Sequence, residues 1–169
     1  MPRYRRYFED NSWVFLTLVT ADRRPWMRDA NDKRLVLDSL RDAKRRYPFQ
    51  HLGHVILDDH LHWMLIANGD STIPDIVSAF KRGTCFTRRR AGKCWNSLWQ
   101  RRYYDHILRH DHDFRCHIDY IHYNPVKHGY AAMACQYRWS SFHAWFARGH
   151  YDKTWGTSEP SHISGMNPE

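Results

Sequence analysis

The sequence predicts an α+β fold, an antiparallel sheet with helices packed on one face. Three observations predict it. Short runs of β-branched and aromatic residues alternate with longer segments whose apolar residues recur at helical spacing. The predicted order is β-α-β-β-α-β followed by further helices. The chain has 169 residues, 42% of them hydrophobic, which suits one domain with an ordinary core.

W-V-F-L-T-L-V-T, residues 13–20, is short and rich in β-formers and predicts a central strand. Residues 29–47 predict a helix, because Val36, Leu40, Ala43 and Tyr47 fall on one stripe and Pro48 stops it. Residues 49–57 and 60–68 predict two strands joined by a tight turn at Asp58 and Asp59. Ser71 or Thr72 then caps a helix that buries Ile73, Ile76, Val77 and Phe80 and ends in a basic run, Lys81, Arg82, Arg88, Arg89 and Arg90. Residues 91–105 are irregular, aromatic and basic, and a short strand is expected at 106–108. Residues 111–123 predict a helix with Phe114, Ile118 and Ile121 inward. A last helix is expected over 139–148, capped by Ser140 or Ser141 and ended by Gly149. The expected domain is 1–155, with a disordered Ser-, Pro- and Gly-rich tail at 156–169.

Lys and Arg total 26 against 18 Asp and Glu, a net charge of +8. A small basic domain fits a polyanionic partner, and the aromatic content of 15% would suit base stacking as well as a small core. The four cysteines (85, 94, 116 and 135) form no C-x-x-C pair, so neither a zinc ribbon nor a disulfide framework is expected. No signal peptide or membrane span is apparent. A cytoplasmic protein with no membrane partner is expected.

Three constellations carry chemistry. The first is His60-Leu61-His62. On a strand both imidazoles point to one face, either as paired metal ligands or as two ordinary histidines among the thirteen in the chain. The second is H-I-D-Y-I-H-Y-N-P-V-K-H-G, residues 117–129. Tyr120 and Asn124 share a helix face there, at the edge of the core stripe. Tyr120 is either reactive or simply packed with a bonded hydroxyl. Asn124 precedes Pro125, a position that disfavours helical geometry, so the helix is expected to end at Asn124. The third is W-Q-R-R-Y-Y-D-H, residues 99–106. Arg101, Arg102 and Tyr103 supply phosphate forks and a stacking plane, or else fill a loop. Arg5 and Arg6, in Y-R-R-Y, repeat the pattern near the start.

Taken in order, Y-R-R-Y, D-H-L-H, W-Q-R-R-Y and D-Y-I-H-Y-N-P-V-K-H-G resemble the REP-associated tyrosine transposases, HUH-type single-strand transposases with an IS200-like domain. The likeness covers roughly residues 3–156, including W-S-S-F-H-A-W-F-A-R-G-H-Y. Asp58 departs from it, since the family usually carries Pro at this place in the turn. The resemblance implies an RRM-like, ferredoxin-like sheet. It implies that His60 and His62 bind a divalent metal, Mg²⁺ or Mn²⁺, that Asn124 completes the site, and that Tyr120 is the nucleophile. The implied reaction cuts and rejoins single-stranded DNA at REP-type hairpins through a 5′-phosphotyrosine. Arg5, Arg6, Lys81, Arg82, Arg101, Arg102, Tyr103 and Lys127 are the expected DNA contacts. His117 and His122 are further candidates as ligands or general acids. A monomer is expected, with a dimer as the alternative. The rival readings are a catalytically silent, RRM-like hairpin binder and a metal-dependent hydrolytic nuclease.

Overall fold

The computed structural model describes residues 11–93 and 97–168. Arg5, Arg6 and Cys94 lie outside them. Among the described residues four strands form one antiparallel sheet: β1 (Trp13–Val19), β2 (Phe49–Ile56), β3 (His60–Ala67) and β4 (Tyr104–Leu108). Their order is β2-β3-β1-β4, the ferredoxin-like arrangement. Four helices accompany them: α1 (Ala30–Arg46), α2 (Ile73–Arg90), α3 (Asp111–Lys127) and α4 (Phe142–Ala147). No helix of the described residues is long and apolar enough to cross a membrane.

The helices cover both faces of the sheet, not one as the sequence suggested. Thr17 lies opposite His62 and Leu16 opposite Trp63, so alternate residues divide the two central strands between two sides. Trp63 meets Phe80 of α2, while His62 and Phe15 meet Tyr120 of α3. Nearly every residue of β1 and β3 is therefore buried. The α1 and α2 side takes Leu16, Leu18, Leu61 and Trp63 with Val36, Leu40, Ile76 and Phe80, all buried.

Local chemistry sets the ends of the elements. Asp29 caps α1 by accepting from Asn31 N, and Thr72 caps α2 by accepting from Asp75 N. Asp58, which stands where Pro is expected, accepts from the buried Lys33 Nζ at 2.7 Å and so ties the β2–β3 turn to α1. Helix α3 runs through Pro125 to Lys127, one turn further than expected. Proline this near the end removes only one backbone donor of the last turn, and the Asn124 carbonyl still accepts from His128 N. The α4 helix starts later than expected, at Phe142, with Ser141 at its N-cap position; Ser140 Oγ accepts from Phe142 N, while the Ser141 hydroxyl bonds His54 and His122.

Between His51 and Gly53 the β2–β3 register shifts, and α3 lies directly against this bulge. A Cβ on Gly53 would stand 2.4 Å from Ile118 Cδ1 and 3.3 Å from Ser141 Oγ.

Residues 156–168 fold back over α3. Ile163 is buried and Met166 packs on the core. His162 Nε2 lies 2.7 Å from Asp119 Oδ2, and the His162 carbonyl accepts from Cys116 Sγ. Two apolar residues in a polar segment are enough to anchor it, and composition alone hides them.

Candidate active site

The α3 side of the sheet is lined by polar residues. Thr17 on β1, His60 and His62 on β3, and Tyr120 and Asn124 on α3 are all buried. They come together within one chain. The Tyr120 ring centre lies 5.2 Å from that of His62, and His62 lies 4.9 Å from His60.

The hydrogen bonds determine which nitrogen of each imidazole carries the proton. Thr17 Oγ1 donates to the Pro168 carbonyl at 2.6 Å, so it must accept from His62 Nδ1, 2.9 Å away. The Asp59 carboxylate accepts from His60 Nδ1 at 2.7 Å. Both rings thereby carry a proton on Nδ1 with Nε2 directed elsewhere, the outer-shell arrangement found around metal-ligating histidines. Burial holds His62 well below its ordinary range and therefore neutral, with the nearby His60 adding to the effect. The hydrogen bond from His60, more than any other influence, keeps Asp59 below the usual carboxylate range.

Among the described residues, His62 Nε2 and both polar atoms of the Asn124 side chain are buried with no hydrogen-bond partner. Buried polar atoms left this way are expensive. An imidazole lone pair and an amide oxygen on facing elements are suitable donors for a divalent ion, so the residues present fit the metal that the resemblance implies.

The Tyr120 hydroxyl accepts from Lys127 Nζ at 3.0 Å, and the ammonium lies 4.8 Å from the ring centre. Tyr120 is thus fully buried, deeper than the core-edge position its spacing suggested. Lys127 also donates to the Met166 carbonyl, so the tail passes directly beside the phenol.

The other candidates divide clearly. His122 lies away from the site, with Nδ1 on Tyr151 and Nε2 on Ser141. His117 bonds Asp113 and stacks on His106. These three form a separate His-Asp-His group, divided from His62 by the Phe15 ring. Lys81 donates to the Gln100 carbonyl and lies over the Tyr103 ring at 5.4 Å. Arg82, Arg101 and Arg102 are exposed to solvent. Thr17, Asp59 and His128, whose ring lies 5.2 Å from His60, were not among the expected site residues. Thr17 left one trace in the sequence, as the lone hydroxyl in the apolar run V-F-L-T-L-V.

Comparison with known proteins matches this architecture. The family described as "Transposase IS200 like" covers residues 10–124. A protein of Haemophilus influenzae named as a REP-associated tyrosine transposase is 32% identical over 179 residues, spanning 98% of this chain and 99% of its own. The REP-associated tyrosine transposase of Escherichia coli K12 is 32% identical over 92% of this chain and 91% of its own. A solved REP-associated tyrosine transposase bound to a REP hairpin superposes with a TM-score of 0.80 at 28% identity, covering 96% of each chain. The chain therefore belongs to the IS200-like transposases, as a REP-associated tyrosine transposase of the HUH type.

Proposed function

We propose that this enzyme cuts and rejoins single-stranded DNA at REP-type hairpins, with Tyr120 as nucleophile and His60, His62 and Asn124 as holders of a divalent metal. The observation that carries the reading is the meeting, within one chain, of a lysine-bonded tyrosine hydroxyl with two histidines whose Nδ1 protons are both engaged. The relative bound to a REP hairpin supports the choice of DNA.

A neutral phenol is a weak nucleophile. The Lys127 ammonium puts positive charge at the oxygen where negative charge develops as the phenol proton passes to solvent water. The Tyr120 oxygen then bonds to phosphorus and the bond to the 3′ oxygen breaks. That oxygen takes up a proton from solvent water, leaving a free 3′-OH and a 5′-phosphotyrosine. Attack by a 3′-OH on the phosphotyrosine reverses the step and rejoins DNA without an external energy source. When bound, Mg²⁺ or Mn²⁺ would neutralise a non-bridging phosphate oxygen and help to align the phosphorus. Thr17 and Asp59 orient the imidazoles. Exposed Arg82, Arg101 and Arg102, together with Lys81, Tyr103, Lys127, Arg5 and Arg6, form the proposed DNA contacts. The protein is proposed to act as a monomer, its site complete in one chain.

The test is incubation with a labelled hairpin oligonucleotide and Mn²⁺, followed by a denaturing gel. The reading requires a covalent protein–DNA band that disappears in Tyr120→Phe. Cleavage that survives in Tyr120→Phe would mean a hydrolytic nuclease, and binding without cleavage would mean a silent hairpin binder.

A further inference from the structure

A polar cavity of about 330 Å³ opens beside His60 at the end of the sheet. Three segments wall it. Arg23, Pro25 and Arg28 come from the β1–α1 connection, Asp58, Asp59 and His60 from the β2–β3 turn, and His128 and Tyr130 from the chain after α3. The proposed chemistry uses only His60 of these as a ligand, and Asp59 through it.

The lining defines the class of ligand. A pocket for phosphate alone would not carry Asp58 and Asp59. A cation pocket would not carry guanidinium groups against both carboxylates, yet Arg23 lies 3.4 Å from Asp59 and Arg28 lies 3.5 Å from Asp58. Acceptors, fork-shaped donors and an aromatic plane in one small cavity suit a nucleobase, which presents donors and acceptors on its edge and a face for stacking. Tyr130 supplies the plane. It is 41% exposed, and Tyr137 supports it at 5.9 Å between ring centres. The volume is at the small end of ligand pockets, suited to one nucleotide.

Position defines which nucleotide. The rings of Tyr120, His62, His60 and His128 follow one another at 5.2, 4.9 and 5.2 Å. The cavity is lined by His60 and His128, and His62 stands between His60 and the nucleophile in this succession of ring contacts. Displacement at phosphorus puts the leaving oxygen opposite the attacking one. We infer that this cavity binds the nucleotide on the 5′ side of the scissile bond, the one that departs with the free 3′-OH. Tyr130 stacks on its base, and Arg23, Arg28 and the two aspartates bracket its edge and phosphate. Held there, the released end stays close to the phosphotyrosine, ready for rejoining. The inference rests on the phosphotyrosine reading above and adds the site that selects the base next to the cut.

The experiment couples a protein deletion to a base deletion. Hairpin oligonucleotides with a single abasic residue at each position around the cut are given to the wild type, Tyr130→Ala and Arg28→Ala in Mn²⁺, and covalent adduct formation is timed at sub-saturating DNA. The melting temperatures of both variants serve as folding controls. In the wild type, an abasic residue immediately 5′ of the cut should slow the reaction about tenfold. In Tyr130→Ala the intact substrate should already be slow, and the same abasic residue should add less than about twofold. An undiminished abasic penalty in both variants overturns the inference, as does coupling at the nucleotide 3′ of the cut. The adduct formed by the wild type on intact DNA reports on the phosphotyrosine reading separately. If that reading fails there is no covalent band, whereas if the cavity assignment fails the band remains and only the coupling is lost.

Discussion

The two faces of the sheet use the same strands for opposite purposes. Toward α1 and α2, Leu16, Leu61 and Trp63 close a dry core with Phe80 and Val36. Toward α3, the residues between them, Thr17, His60 and His62, are equally buried but polar. The first face gains from removing apolar area from water. The second pays a desolvation penalty and keeps polar atoms without partners. One residue of register thus separates the residues that hold the fold from those that would carry the chemistry.

The largest expected break in this contrast is Trp63→Ala. Emptying a fully buried indole site should cost about 3–5 kcal/mol of stability, read as a fall in the denaturant midpoint, while the protein that remains folded still makes adduct. Loss of adduct at unchanged stability would place Trp63 with the other face. Next comes Thr17→Val, which preserves shape but removes the acceptor for His62 Nδ1. Mn²⁺ affinity, measured directly by titration, should weaken roughly 10- to 100-fold with little change in melting temperature. An unchanged affinity would remove Thr17 from the metal's outer shell.

Part of the pH dependence of stability belongs to the α1 side, where His51 and His54 share a hydrogen bond. Burial presses His54 down to about 3 and His51 down to about 4, with a smaller contribution for His51 from Lys44. Both folded values lie below the ordinary 6.5, so below pH 6.5 the unfolded chain binds more protons. Their contribution is complete above 6.5 and is lost as the pH falls toward 4 and then 3. Urea midpoints measured from pH 7.5 to 4.5 should decline, and His54→Asn should flatten that decline. A parallel decline in the variant would exclude His54 as a source and leave the fall to the other buried histidines, His62 and His122 among them. The smallest expected change is that of Asn124→Ala. Metal-free stability should move by no more than about 1 kcal/mol, since an unbonded buried amide contributes little or negatively. The rise in melting temperature on adding Mn²⁺ should shrink, with hairpin affinity kept within about twofold. A full Mn²⁺ response in the variant would take Asn124 out of the ligand set.

The sheet was legible in the sequence because strand and helix periods are local properties: Val36, Leu40 and Ala43 mark α1 without reference to any other segment. The shared direction of His60 and His62 was legible for the same reason. What was not legible depended on distant partners. Thr17 finds His62 45 residues away and Pro168 151 residues away, and no periodicity encodes either pairing. The course of α3 through Pro125 contradicted a local rule, because a proline in a final turn sacrifices so little. The packing of the tail depends on Ile163 and Met166, two residues whose value appears only once α3 is there to receive them.

At Gly53 the contact between sheet and helix is filled by side-chain ends from α3 and from Ser141. Ile118, which a single added methyl would strike, lies two residues before Tyr120 on α3. The missing side chain therefore leaves room for the Ile118 tip against β2, the strand next to the one bearing the histidines. A chain with alanine here would keep every proposed catalytic residue, and the tip of Ile118, the end of a side chain that can rotate, would have to turn aside to admit the added methyl.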